Sequence, residues 1–142
     1  SGKLAGMYLN GREELRGPVD GALTHVASLG PFDHSIEALD GTDNFYFLLA
    51  GVPNLVGMQD PAPYLPDYHA ESDTFDKVDA REAKAGEAAL AALVWDLANR
   101  DARLGPRQSR AEVEALLKAT HLEEQMKAFG QWDAWIATRV KN

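Results

Sequence analysis

Apolar and polar residues alternate loosely from Leu4 to Asn10 and the run closes on Gly11, which predicts a short strand. Between Asp20 and Ser28, after Gly17-Pro18 and before Gly30-Pro31, the residues Ala22, Leu23 and Val26 recur at helical spacing and predict a helix. Asp33 to Leu39 alternates again, reads as a strand, and ends at Asp40-Gly41. A short apolar helix is expected from Asp43 to Ala50, stopped by Gly51 and then Pro53, followed by a brief buried strand over Asn54 to Met58.

Pro61, Pro63 and Pro66 then remove backbone donors and fix φ, so the stretch Pro61-Ala62-Pro63-Tyr64-Leu65-Pro66 is expected to be a loop. The strongest predicted element runs from Asp79 to about Arg100. It is rich in alanine, the best helix former, and Leu90, Leu93, Val94 and Leu97 give it a wide apolar face with Trp95 beside it. Gly105-Pro106 breaks the chain but is too short to read as a domain linker. Beyond it a helix or helix pair is expected from about Ser109 to Val140. Leu116 and Leu117 mark its first part, and Leu122, Met126, Phe129, Trp132, Ile136 and Val140 form one stripe at steps of three and four.

Composition narrows the class. With 45% apolar residues in 142 positions the chain has enough material for a core. A net charge of −8 and the lack of a basic stripe argue against a nucleic-acid surface. No apolar run approaches the roughly 18 residues of a membrane span, so none is expected. There are no cysteines, which excludes disulfides and leaves the redox compartment open.

The candidate chemistry lies in Tyr68-His69-Ala70-Glu71-Ser72-Asp73-Thr74-Phe75-Asp76-Lys77-Val78-Asp79. A neutral imidazole is the commonest metal ligand, and an acidic group four positions on is placed to orient its ring by accepting the other N–H. The competing account is that Asp73, Thr74, Asp76 and Asp79 supply only the helix start, where side-chain oxygens accept from free N–H groups. His25, His34 and His121 have no His-Glu-x-x-His spacing among them and read as structural or solvated. Loops after strand ends collect ligands in open α/β sheets, which makes Tyr64 and Tyr68 candidate pocket-lining residues. Alternatively the prolines stiffen a surface turn on which both rings pack.

The order Gly41-Thr42-Asp43, a short aromatic-bearing helix, Gly51-Val52-Pro53, an apolar strand and His69-Ala70-Glu71-Ser72-Asp73-Thr74 before a long helix resembles the end of the co-catalytic two-zinc exopeptidases. That family includes aminopeptidase Y, bacterial secreted aminopeptidases and plasma glutamate carboxypeptidase. Its corresponding elements are Gly-(Ser/Thr)-Asp, Gly-(Ile/Val)-Pro and His-Thr-x-x-Asp-Thr. Ala70 stands where the family commonly has Thr or Ser, and Asn44 where many members have His. The match spans roughly residues 3 to 100 and is sharp from Gly41 to Asp79.

The resemblance implies an α/β fold, with a small parallel or mixed sheet, forming part of a zinc-peptidase-like α/β/α sandwich with extra C-terminal helices. Residues 1–105 would be the C-terminal half of the catalytic domain; residues 106–142 extend past the family's ordinary end, and their apolar stripe is expected to pack on the same domain, the alternative being an interface with a partner. His69 would be the last of five residue positions holding two zinc ions, Asp73 and Thr74 outer supports or structural groups, and Tyr64 and Tyr68 pocket lining. In the family, zinc-activated water, deprotonated by a glutamate, hydrolyses terminal peptide bonds of a peptide substrate. The general base and the other ligands precede this segment of the family pattern, so the chain is expected to be inactive without an upstream half. Ser1-Gly2 reads as a cloning remnant, a secreted or periplasmic parent is implied, and uncovered faces are expected to favour a homodimer. A non-catalytic interaction domain keeping the same scaffold is the alternative.

Overall fold

A computed structural model describes residues 3–138. Val140, the end of the expected C-terminal stripe, and Ser1-Gly2 lie outside the described residues. The order of elements is β1 (Leu4–Tyr8), α1 (Arg16–Leu23), α2 (Asn44–Leu49), β2 (Val56–Gln59), α3 (Pro61–Tyr64), α4 (Ala80–Asn99), α5 (Arg110–Ala119), α6 (Leu122–Ala128) and α7 (Trp132–Ala137), with short 3-10 turns at Glu13–Leu15, Thr24–Leu29 and Phe75–Lys77. The protein is thus mixed helix and strand.

β1 and β2 pair antiparallel, with Met7 opposite Gly57 and Tyr8 opposite Val56. The expected strand over Asp33–Leu39 exists only in part. Asp33 and Ser35 donate backbone N–H groups to Ala5 and Met7, and Leu9 and Gly11 donate back to Ser35 and Ile36, which lays this segment parallel to β1 around a single Tyr8–Ser35 bridge. Gly6 permits that approach: a Cβ there would lie 2.2 Å from the Asp33 carbonyl oxygen. Among the described residues the sheet therefore has two strands, antiparallel rather than parallel.

Two expectations about proline are corrected. α1 begins at Arg16 rather than Asp20, because Pro18 falls within the first turn, where no N–H is needed by the helix. Likewise Pro61 to Tyr64 form one helical turn instead of a loop. Asp60 caps it by accepting from the Ala62 N–H at 3.0 Å, and the prolines occupy positions whose donors would be orphaned anyway.

α4 lies over β1, and a Cβ added at Gly86 would stand 3.5 Å from Leu4 Cβ. Its Ala89 and Leu93 are buried, and Leu97 packs beside them with Leu4, Met7, Leu9, Leu15, Val19, Ala22 and Leu23. The expected face is narrower than its sequence pattern, for Leu90 is 37% and Val94 63% exposed.

A second apolar cluster joins Phe45 and Leu48 of α2 to Val113, Leu116 and Leu117 of α5, Leu122 and Met126 of α6, and Trp132 and Trp135 of α7. Ser109 and Glu112 start α5 with a reciprocal capping box. The single long helical stripe breaks at His121 (φ 62) and Gly130 (φ 67), which separate α5, α6 and α7. Phe129 falls at the end of α6 and points outward, 72% exposed.

The chain passes between the clusters repeatedly: residues 4–32 serve the first, 38–49 the second, 55–104 the first, and 113–136 the second. Polar ties hold the crossings. Buried Asn10 donates to Asn54 Oδ1 at 2.8 Å and accepts from the Leu39 N–H at 3.1 Å. Arg12, 3% exposed, donates to the Pro106 carbonyl at 2.7 Å.

Candidate functional site

The segment carrying the candidate chemistry leaves the sheet at Gln59, turns through α3, and winds over the surface to Asp79. Successive turn bonds shape it: Leu65 N–H to Pro61 O at 2.9 Å, Tyr68 N–H to Leu65 O at 3.3 Å, and Ala70 N–H to Asp67 O at 3.0 Å. His69 adopts the left-handed region at φ 57, a conformation uncommon for a residue with a Cβ, although His is among the residues that tolerate it. Its ring stacks on Tyr68 at 3.9 Å between centroids with planes 21° apart, and Tyr68 in turn meets Tyr64 at 5.0 Å. The three rings form a row. Loss of hydration, then the neighbouring Tyr68, raises the Tyr64 hydroxyl above the ordinary phenol range.

His69 and every residue from Ala70 to Ala80 are exposed. No hydrogen bond or ion pair joins His69 to Asp73, whose own N–H donates to Ala70 O at 3.1 Å. The Thr74 hydroxyl reaches the Ser72 carbonyl and the Asp76 carboxylate, and that second bond, followed by Lys77, holds Asp76 below the usual carboxylate range. Asp79 caps α4, accepting from the N–H groups of Arg81 at 2.8 Å and Glu82 at 3.0 Å, which lowers its pKa. The helix-start account therefore describes Asp79, whereas Asp73 and Thr74 belong to the turns that precede it.

A zinc ion needs about four donors. Among the described residues no group of three or more His, Cys, Asp or Glu side chains converges, at His69 or elsewhere. The described residues do not by themselves gather a zinc ligand set.

The other histidines separate by environment. His34 is buried, accepts the Met7 N–H at Nδ1 and places Nε2 near Asp20. His121 is exposed, 3.6 Å from Glu124. His25 lines an open groove with Ala22, Ala92, Trp95, Asp96, Asn99 and Arg100. That groove went unnoticed in the sequence, where the only signal is an unbroken uncharged run from Ala88 to Trp95.

Comparison with protein-family models, with curated proteins and with solved structures finds no match. No helix among the described residues is long and apolar enough to cross a membrane.

Proposed function

We propose that this chain is the C-terminal part of a zinc-dependent exopeptidase catalytic domain that supplies one metal ligand, His69, and takes its remaining ligands and its base from an upstream half. The observation that carries the reading is the position of His69: an exposed imidazole in a tight left-handed turn, in the segment that links the sheet to a capped long helix. The order of motifs from Gly41 to Asp79 supports the same reading. In it, β1, β2 and α4 are one edge of an α/β/α sandwich, residues 106–142 an added helical layer, and the row of Tyr64 and Tyr68 one wall of a peptide pocket. Asp73 is an outer support of the ring once the missing half orders the loop.

Because the described residues alone do not gather a zinc ligand set, no hydrolytic step is derived from them. The test is reconstitution. Joined to the upstream segment of its reading frame, the protein is expected to bind zinc, to cleave an aminoacyl or dipeptide substrate, and to lose both properties on His69→Ala. If the joined protein carries a full ligand set, binds zinc and still cleaves nothing in a broad peptide library, the peptidase reading fails and a non-catalytic interaction domain takes its place.

A further inference from the structure

Residues 33–37 lie as a strap along the edge of β1, tied down by backbone bonds. Asp33 donates to Ala5 O at 2.7 Å and Ser35 to Met7 O at 3.1 Å, while Leu9 and Gly11 donate to Ser35 O and Ile36 O at 2.7 Å. The strap buries almost nothing else. Asp33, Ile36 and Glu37 are exposed and Ser35 is half-buried, so His34 is its only buried side chain. Its neighbours at either end are anchored differently: Phe32 packs on the first apolar cluster and Ala38 belongs to the second, whereas no residue from Asp33 to Glu37 joins either.

The His34 ring is therefore the pin of the strap. It holds β1 through an acceptor, Nδ1, on the Met7 N–H. One proton removes that acceptor, because both nitrogens of an imidazolium are donors. The charged groups facing the ring are Asp20 and Arg16 of α1 and Asp33 of the strap itself. Arg16 also donates to the His34 carbonyl at 3.0 Å. β1 brings no charge, its Tyr8 being bridged to Ser35, and Lys3 ahead of it is turned to the Gly30 carbonyl at 2.9 Å. Asp20 attracts an imidazolium and Arg16 repels it, so neither compensates fully for the lost acceptor in a buried site.

We propose that protonation of His34 unlatches residues 33–37 from β1 while both apolar clusters stay folded, making the strap an acid-operated latch over the edge of a strand. Because the strap belongs to neither cluster, its release costs less than global unfolding. It uncovers the Ala5 and Met7 carbonyls and the Leu9 and Gly11 N–H groups. In the open form the ring is solvated and takes up a proton near the ordinary value of about 6.5, so opening rises below that pH by up to about thirtyfold at pH 5. This latch is independent of the reading of His69.

Amide hydrogen exchange followed by NMR from pH 7.5 to pH 5, corrected for the intrinsic pH dependence of exchange, tests it. Asp33, Ser35, Leu9 and Gly11 are expected to exchange faster on acidification, together and by up to about thirtyfold. Global unfolding is separated from unlatching by urea below the denaturing range. At pH 5 the exchange of these four amides is expected to ignore urea, whereas that of Leu93 and Leu117, buried in the two clusters, should speed with it. His34→Gln keeps an acceptor for Met7 that does not titrate, and is expected to abolish the acceleration. Asp20→Asn, which takes away the charge favouring the imidazolium in place, should carry the acceleration on to lower pH. No acceleration beyond the intrinsic one, acceleration that persists in His34→Gln, or strap amides that follow urea as Leu93 and Leu117 do would each overturn the proposal.

Discussion

Met7 donates its backbone N–H to Nδ1 of His34 at 3.0 Å, so β1 fixes the tautomer of a histidine that lies in the neighbouring extended segment. The proton of the neutral ring is thereby on Nε2, 3.2 Å from Asp20 Oδ1 on α1 but too far off line for a full hydrogen bond. Protonating Nδ1 would set two N–H groups against each other in a buried site.

Acid sensitivity follows. Burial, the largest cause, holds the His34 ring below the ordinary imidazole range and outweighs the attraction of Asp20. With the folded value below the unfolded one of about 6.5, the unfolded chain takes up the proton first, so stability contributed by His34 is intact above that pH. It drains as pH falls from about 6.5 through the folded value. Thermal melts from pH 8 to pH 5 should show this decline, and His34→Gln should flatten it. Asp20→Asn, which removes the charge favouring the imidazolium, should deepen it.

Gly51 ends α2 at φ 73, and a Cβ there would lie 2.2 Å from the Gln108 carbonyl oxygen. Gln108 also donates its N–H to Gly51 O at 2.8 Å, so the two backbones touch just ahead of α5. Gly51→Ala is expected to cost about 2–4 kcal/mol through strain and overpacking, measured by urea unfolding. A loss below about 0.5 kcal/mol would mean that this contact is not formed.

Ser109→Ala should cost about 1 kcal/mol, because it opens the capping box that begins α5. Glu112 is held below its usual range first by the Ser109 hydroxyl, so the same variant should return its carboxyl toward the ordinary value, a change visible in an NMR titration.

His69→Ala should leave stability within about 0.5 kcal/mol, since the ring is exposed and serves neither apolar cluster. Calorimetry should show no submicromolar zinc binding by the chain alone. Complete structural sites reach roughly 10–16 kcal/mol because several ligands act together, and one imidazole does not. Tight binding by the monomer, abolished by this variant, would require a ligand set that the described residues do not gather.

Four elements were legible from local pattern and the Gly and Pro signals at their ends: β1, α2, β2 and α4 lie within a few residues of their expected bounds. The failures have local causes. Pro18 and Pro61 look like breakers but sit in first turns, where a missing donor costs nothing. The stripe from Leu122 to Ile136 keeps its three-and-four spacing across Gly130, so period alone hides the break between α6 and α7. Antiparallel pairing of β1 with β2 depends on contacts between distant segments that neither strand records. For the candidate site, the sequence singles out His69 and offers Asp73, Thr74, Asp76 and Asp79 together as the helix start, while the choice of Asp79 as the cap and the stacking on Tyr68 belong to the path of the loop.

The alternation of the chain between its two apolar clusters bears on how the molecule assembles. A cut at Gly105-Pro106 would leave the C-terminal helices without Ala38, Phe45 and Leu48, and the remainder with a bare α2. Neither cluster has a contiguous stretch of chain that can complete it, so loop closure over long separations precedes the reward of burial in both. During synthesis, β1 must wait for β2, and α2 must wait for α5, with its apolar side uncovered in the interval. One consequence is a single concerted unfolding transition; another is a nascent chain whose most exposed stage falls between the emergence of Leu48 and that of Leu117.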